Sequence, residues 1–404
     1  MWLRELELDE FRSFRSLRLE IDPAGFRAIG PNASGKSTLL EAIAMLATFR
    51  SPRTSLEREV VNWNSGVEFA VPPYARAHAV FERTDGQHSV EFGLSFDERL
   101  NRIRKSVRYD GRQTRAVDAV GQLKTVLFTP EDVELLSGAP SGRRRFLDIA
   151  IGQASRDYLR GLAHYARVLE QRNSLLRSLA AERAGSNSRA AQELPFWDSE
   201  LTAVAADVLA FRLGAVQFLG TAAAAHFSVL HGGGLLAIHY RSHRDVIAPL
   251  PAGSGRWEPD VQERQRAASA FGGILASVRA EELRRGVTAV GPHRDDFIVE
   301  VDGVDLGRFG SRGQQRLAVI AMKLAELDFL ASAAGEPPVL LLDDVLSELD
   351  ASHRSLMTAA LGARATQVCV TSTDESDLHE SGLDRLPLLR MANGTFDAAK
   401  FEEA

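Results

Sequence analysis

Residues 3–21 alternate apolar and polar positions, as Leu3-Arg-Glu-Leu6-Glu-Leu8 and then Leu17-Arg-Leu19-Glu-Ile21, with the alternation broken near Phe11–Ser16. This period-two pattern predicts an antiparallel hairpin. Phe26–Ile29 reads as a short strand running into Gly30. From Lys36 to about Phe49 the spacing becomes helical, with Leu39, Leu40, Ile43 and Leu46 on one face. Residues 77–115 return to strand alternation, as in Ser89-Val-Glu-Phe-Gly-Leu94, with Asp85-Gly86 and Asp110-Gly111 as turn dipeptides. An antiparallel β flank is therefore expected beside a strand–loop–helix unit.

From about Ser141 to Leu179 the spacing is helical again: Phe146, Ile149 and Ala150, then Tyr158, Leu162, Tyr165, Leu169, Leu175 and Leu176. Ala180–Glu193, rich in Ala, Ser, Arg and Gly, predicts a surface connection to a second long, alanine-rich helix over about Phe196–Leu230. After Gly232–Gly234 come a strand at Leu235–Tyr240, an exposed loop at Pro249–Gly255 and a helix at about Glu258–Gly286. Strand spacing resumes in Phe297-Ile-Val-Glu-Val301, turns at Asp302-Gly303 and continues at Val304-Asp-Leu306. Gly313–Leu330 is helical, and Val339–Leu342 is a continuous apolar run, as expected of a strand buried on both faces of a parallel sheet. No internal repeat is visible. The expected division is 1–140 and 287–404 as the two parts of one α/β domain, with 141–286 as an inserted helical lobe.

Composition narrows the picture. The chain has 404 residues, 45% hydrophobic and 25% charged, with a formal net charge of -6. These values describe an ordinary folded protein, and they make any nucleic-acid contact regional rather than global. The single cysteine, Cys369, lies in the apolar run Gln367–Thr371 and reads as a buried strand thiol. Without a disulfide framework, a reducing cytoplasm is the expected compartment. No apolar run approaches the ~20 residues of a spanning helix, so no membrane partner is expected.

The strongest chemical signal is Gly30-Pro31-Asn32-Ala33-Ser34-Gly35-Lys36-Ser37, which satisfies G-x-x-x-x-G-K-[ST] between a strand and a helix and continues into Thr38. Its glycines let backbone N–H groups turn toward phosphates, and the helix start adds a positive dipole end. Lys36 is expected to reach the β- and γ-phosphates of ATP, and Ser37 to ligate magnesium. Val339-Leu-Leu-Leu-Asp343-Asp344 is an apolar strand ending in paired carboxylates. Asp343 is the expected magnesium partner and Asp344 the expected general base for an attacking water.

Phe309-Gly-Ser311-Arg-Gly313-Gln314-Gln315 opens a helix with the Ser-x-Gly-Gln core of an ABC signature. Alone it is an ordinary helix cap. Its place before the acidic strand, with Ser347-Glu-Leu-Asp350 following as a D-loop, makes the ordered set an ABC-type ATP clamp. In such clamps the signature serves the nucleotide of a second protomer, so Ser311, Gly313 and Gln314 are expected to complete the site of a homodimer formed on ATP.

Two stretches are locally basic. Residues 101–115 carry Arg102, Arg104, Lys105 and Arg108, and residues 141–177 open with Arg143, Arg144 and Arg145. Each is read either as a DNA phosphate contact or as a solvated face, the arginine triple also as a helix surface pairing with local acids.

Between the ATP motifs lie Phe128-Thr-Pro-Glu-Asp132, Arg143-Arg-Arg-Phe-Leu-Asp148, Gln171-Arg-Asn-Ser-Leu-Leu176, Phe196-Trp-Asp198 and Gly291-Pro-His-Arg-Asp-Asp296. With these segments in this order, the chain resembles the RecF family of SMC-like recombination mediators over essentially its whole length. The resemblance implies an α/β P-loop ABC-type ATPase head with an antiparallel β flank and an inserted, mainly helical second lobe. It also implies ATP-dependent dimerisation on gapped or single-strand/duplex DNA, loading of the recombinase RecA with RecO and RecR, and roles in replication restart and the SOS response. Other ABC-type readings, a transporter subunit, a stand-alone phosphohydrolase or an SMC-like bridging protein, remain the alternatives.

The sequence departs from the transporter pattern at two places. Asp344 stands where transporter ATPases carry glutamate, which predicts slow hydrolysis, a switch more than a catalyst. Val370-Thr-Ser-Thr-Asp374 ends where a transporter places a switch histidine, leaving Thr373 or Asp374 as the expected γ-phosphate sensor. Glu131 or Asp132 is read either as a Q-loop substitute or as a turn residue. His293 and Arg294 are read as structural links between the lobes.

Overall fold

Alternation along the N-terminus folds as read. In the computed structural model, which describes residues 1–66, 71–97, 102–182, 189–242, 256–362, 366–378, 381–392 and 395–397, β1 (Trp2–Phe11) pairs with β2 (Phe14–Glu20), Leu6 opposite Leu19 and Leu8 opposite Leu17. β3 (Gly25–Ile29) leaves this sheet, and α1 (Lys36–Thr48) follows it. β4 (Tyr74–Arg83), β5 (Gly86–Asp97), β6 (Arg102–Tyr109) and β7 (Arg112–Gln113) extend the antiparallel sheet in the order β2-β1-β4-β5-β6-β7. Every second residue faces inward, so Leu6, Leu8, Phe81 and Phe92 share one core with Leu40, Ile43 and Leu46 of α1. β8 (Thr125–Phe128) ends this part of the chain.

The central region is helical: α2 (Pro140–Ala154), α3 (Arg156–Glu182), α4 (Arg189–His231) and α5 (Val261–Arg285). α5 starts later than its hydrophobic pattern suggests because Asp260 accepts from the Glu263 amide while Glu263 accepts from the Asp260 amide, a reciprocal cap that fixes the first turn. The loop expected at Pro249–Gly255 lies outside the described residues, as do residues 183–188 of the connection expected at Ala180–Glu193, whose remaining residues belong to α3 and α4. β9 (Leu236–Arg241), β10 (Asp296–Val301) and β11 (Val304–Asp305) form a small antiparallel sheet. α6 (Arg312–Ala334) carries the chain onward.

Within α4, Gln192–His231 is by length and composition apolar enough to cross a membrane, which overturns the expectation that no stretch reaches that mark. Alanines spread among larger residues hide the run from a simple scan. Leu201, Ala205, Leu209 and Phe227 are fully buried, and the helix packs on α3, α5 and β9, so the apolar composition is that of a core helix.

β12 (Val339–Asp343), α7 (Ala351–Gly362), β13 (Val368–Ser372), β14 (Leu388–Ala392) and β15 (Thr395–Asp397) complete the molecule. With β3 and β8 they make a second sheet in the order β15-β14-β3-β13-β12-β8, parallel except for the β14/β15 pair. All five residues of β12 are buried, as the apolar run predicts, and Cys369 is fully buried in β13.

The chain divides into two compact units, Met1–Asp132 with Glu326–Ala404, and Val133–Ala325. Residues 287–325, expected with the C-terminal part of the α/β domain, thus belong to the second unit. The reason is local: β10 completes a sheet with β9, and Arg143 grips Asp296 at 2.7 Å.

Candidate nucleotide site

β3 delivers the chain to Gly30, where a side chain has no room: a Cβ there would lie 2.2 Å from the Met391 carbonyl oxygen of β14. Gly35 has φ +103°, so the loop can curl without strain before α1 begins at Lys36. Between them, Pro31, Asn32 and Ala33 are exposed, and Ser34 is buried with a hydroxyl that has no partner among the described residues. Lys36 is also buried, and its ammonium donates to the carbonyls of Gly30 (2.7 Å) and Pro31 (2.9 Å), folding back over the loop. Burial draws this ammonium below its ordinary pKa, against the pull of Asp344 and Asp343.

Parallel pairing of β12 with β13 aligns Asp343 with Thr371. Asp343 accepts from the Ser37 hydroxyl at 2.8 Å and from the Thr371 hydroxyl at 2.8 Å, both on Oδ1. A residue from the first helical turn and one from the acidic strand, far apart in sequence, therefore meet as the motif spacing requires. Asp344, next along, takes the left-handed conformation with φ 52°. Its amide donates to Thr371, and its carbonyl accepts from the Ser347 hydroxyl at 2.8 Å. Its Oδ1 is buried without a hydrogen-bond partner among the described residues. Burial above all, and then the charge of Asp343, push its carboxyl up, with Ser347 and Lys36 opposing. A strained backbone holding an unsatisfied carboxylate oxygen is costly architecture, of the kind retained where an outside group completes it.

That donor set fits a magnesium nucleotide: a hydroxyl and a carboxylate oxygen converge, an ammonium lies alongside, and the glycine cradle excludes side chains from the loop.

The signature segment is shaped by a reciprocal cap. Gln314 donates its amide to the Ser311 hydroxyl (3.2 Å), and Ser311 donates its amide to the Gln314 carboxamide (3.1 Å). Ser311, Arg312 and Gly313 are exposed, a Cβ on Gly313 would meet nothing within 4 Å, and Phe309 just before them is 75% exposed. The cap reading holds, and the capped helix start is exposed. In the D-loop, Asp350 accepts from the His353 amide and from Ser352, bonds that hold its carboxyl well below the usual range.

Other expected sensors carry structural duties. Asp374 accepts from the Ser376 amide at 2.8 Å and Asp132 accepts from the Thr129 amide at 2.7 Å, both turn roles. Thr373 and Glu131 are exposed.

The basic stretches separate. On β6, Arg104 pairs with Asp97, Arg108 with Glu91 and Lys105 with Glu57, while Arg102 is exposed and carries no ion pair among the described residues. Arg143 is 11% exposed and bidentate to Asp296, and Arg144 donates to the Asp295 carbonyl, so these two serve as struts of the second unit rather than as a DNA surface. Arg145 lies on the same turn of α2.

Sequence reading missed the centres of that unit, Arg172 and Arg212, the largest fully buried side chains among the described residues. Arg172 reaches Asp198 (2.8 Å), Glu282 (2.6 Å) and the Thr288 hydroxyl (2.8 Å). Arg212 reaches Asp148 (2.7 Å), the Tyr158 hydroxyl (3.1 Å) and the Pro292 carbonyl (2.6 Å). The segments around Asp148, Arg172, Asp198 and Pro292 converge here. His293 hydrogen-bonds Tyr165 at 2.5 Å and Arg294 donates to the Thr288 carbonyl, so their role is structural but inside one unit rather than between lobes.

Strand order, loop, acidic strand and outward signature together define an ABC-type ATPase head with a helical insertion. A model of the RecF/RecN/SMC N-terminal domain matches residues 2–396. The DNA replication and repair protein RecF of Thermomicrobium roseum is 44% identical, covering 98% of this chain and 100% of that protein. The chain belongs to the RecF family. A solved structure of the recombination mediator protein RecF-ATP in the RecFOR pathway is 28% identical and superimposes with TM-score 0.81, covering 98% of both chains. The Smc head domain from Pyrococcus furiosus, 15% identical with TM-score 0.51 over 98% of this chain and 95% of that one, shares the fold.

Proposed function

We propose that this protein is an ATP-gated DNA-binding switch of recombinational repair, dimerising on ATP at gapped or single-strand/duplex DNA and assisting recombinase loading with RecO and RecR. The observation that carries the reading is the meeting of Ser37, Asp343 and Thr371 beside the buried, unpartnered Asp344 oxygen, in a chain of the RecF family. The amides of Gly30–Thr38 and the Lys36 ammonium cradle the phosphates, and Ser37 with Asp343 holds magnesium, which supplies charge neutralisation at the phosphates. Asp344 takes the proton of the attacking water. As an aspartate on a strained backbone it stands further from that water than a glutamate would, which keeps hydrolysis slow.

Ser311, Gly313 and Gln314 present a capped helix start to the phosphates bound by a second copy. Its exposure, with Phe309 beside it, supports an interface that this chain alone leaves uncovered. Roles in replication restart and SOS induction come with the same reading.

The test combines two measurements. Light scattering with ATP is expected to show a dimer for the wild type and a monomer for Ser311→Arg, which still binds ATP; a dimer of that variant removes the trans-signature assignment. Binding to gapped duplex at low salt is expected to rise with ATP, and a protein that ignores DNA with and without ATP is a different kind of ATPase.

A further inference from the structure

The segment after α1 is anchored by the buried Ser51, Val60 and Ser65, with cations exposed between them. Phe49 is buried, but Arg50, Arg53 and Arg58 are exposed, and none has an ion pair among the described residues, Arg58 lying over the Phe96 ring at 6.0 Å. Of the acids here, Glu57 is engaged by Lys105 at 2.9 Å, leaving Glu59 against three arginines. At the far end stands Trp63, 97% exposed, the most exposed large apolar side chain described. A fully wet indole is a hydrophobic contribution to stability that the fold has forgone.

Trp63 is nevertheless held by ordered backbone. Arg12 bridges to the buried Glu41 of α1, which also accepts from Ser51 at 2.5 Å and so fixes the start of the segment. Further on, the Arg12 amide donates to the Val60 carbonyl, and the Asn62 amide donates to the Glu10 carbonyl. The Asn62 side chain donates to the Arg12 carbonyl at 2.6 Å. The turn closes through Asn64 to the Asn62 carboxamide and Ser65 to the Asn62 carbonyl, and Ser65 is tied to Tyr74 by two hydrogen bonds. The indole thus sits on a twice-anchored turn and stands almost fully in solvent among the described residues.

An indole presented to a protein partner is normally the centre of an apolar patch that seals out water. Here its flanking residues Asn62, Asn64, Ser65 and Gly66 are polar or small, and the nearest exposed apolar side chains in sequence among the described residues are Leu56 (62%) and Val71 (44%). An anchored, wet aromatic among hydrogen-bonding groups, on a segment carrying unpaired arginines, is the arrangement that stacks nucleobases while cations follow the phosphates. We propose that Arg50–Gly66 is a single-strand contact in which Trp63 stacks on an unpaired base and Arg50, Arg53 and Arg58 meet the adjoining phosphates. This rests on the DNA-binding reading above and adds to it a place and a preference, for unpaired over paired bases.

The test is fluorescence anisotropy of a labelled oligothymidylate and of a blunt duplex, at low salt with Mg-ATP, for wild type, Trp63→Ala and Trp63→Phe. Because the side chain is exposed, all three fold alike, which their thermal midpoints check. Trp63→Ala is expected to weaken oligothymidylate binding about 5- to 150-fold while duplex binding stays unchanged, and Trp63→Phe to remain within about threefold of wild type. Equal oligothymidylate affinity for Trp63→Ala and wild type overturns the stacking proposal alone, as does an equal loss on both DNAs. A wild-type protein that binds neither DNA overturns the stacking proposal together with the DNA-binding reading beneath it.

Discussion

Both units bury charge, but they treat it differently. In the second unit Arg172 and Arg212 lie at 0% and 2% exposure, and carboxylates, hydroxyls and a carbonyl use their guanidinium donors. In the first unit, among the described residues, Lys36 is satisfied by its own loop and Asp344 holds a buried oxygen without a hydrogen-bond partner, on a strained backbone. A completed polar network specifies how helices seat against one another; an incomplete one marks where an outside group belongs. Stability should therefore reside in the arginines of the second unit, and nucleotide chemistry in the acids and lysine of the first.

Substitutions can break that contrast, in descending order of their effect on stability. Arg172→Met strands the fully buried Glu282, and Arg212→Met strands the buried Tyr158 hydroxyl and Pro292 carbonyl together with the half-buried Asp148; each is expected to cost about 3–5 kcal/mol in urea unfolding of the second unit. A loss below about 1 kcal/mol for both erases the distinction. Next comes acid. His293, held down to about 4 by burial and then by Arg294, stays neutral in the fold while an unfolded histidine protonates near 6.5. Since the depressed group makes the unfolded state bind the extra proton, stability should be intact above pH 6.5 and fall between 6.5 and 4, by about 3 kcal/mol. His293→Gln should flatten that part of the urea profile, and an unchanged slope assigns the acid sensitivity elsewhere.

The first unit should answer in function instead. Lys36→Met removes a buried ammonium and is expected to leave stability the same or up to about 1 kcal/mol higher, while calorimetry shows ATP binding lost. Asp344→Asn, tolerated in the left-handed region, is expected to shift stability by less than about 0.5 kcal/mol, retain ATP and slow hydrolysis at least about 100-fold in a phosphate-release assay. Undiminished hydrolysis would take the base role away from Asp344.

Much of the nucleotide site was legible because its signals are local: a strand, a loop with two obligatory glycines and a helix at Gly30–Thr38, and an apolar strand ending in Asp343-Asp344. The meeting of Ser37 with Asp343 follows from strand order and needed only the motif sequence to be anticipated. What stayed hidden is non-local. Arg172 and Arg212 sit in helices where a charge usually faces water, and only the acids arriving from three other segments reveal them as core. Arg143 was open to a DNA contact, a solvated face or a pairing with local acids, and its actual partner, Asp296 of β10, is not local in sequence. The hairpin of β10 and β11 was legible as strands but not as partners of β9, which moved the domain boundary. Trp63 carried no periodic signal, since exposure within a turn leaves no pattern.

The interleaved order β15-β14-β3-β13-β12-β8 has a consequence for how the protein is made. β3, which positions the P-loop, gains its neighbours β13 and β14 only from the last part of the chain. At ribosomal rates of about 5–20 residues per second, the helical unit can collapse first, while Phe26 and Ala28 wait unpaired. A chain cut short anywhere before Val368 thus lacks the sheet that shapes the loop. Competence for nucleotide is the last property acquired in synthesis, so a truncated product would be unable to pose as a working switch.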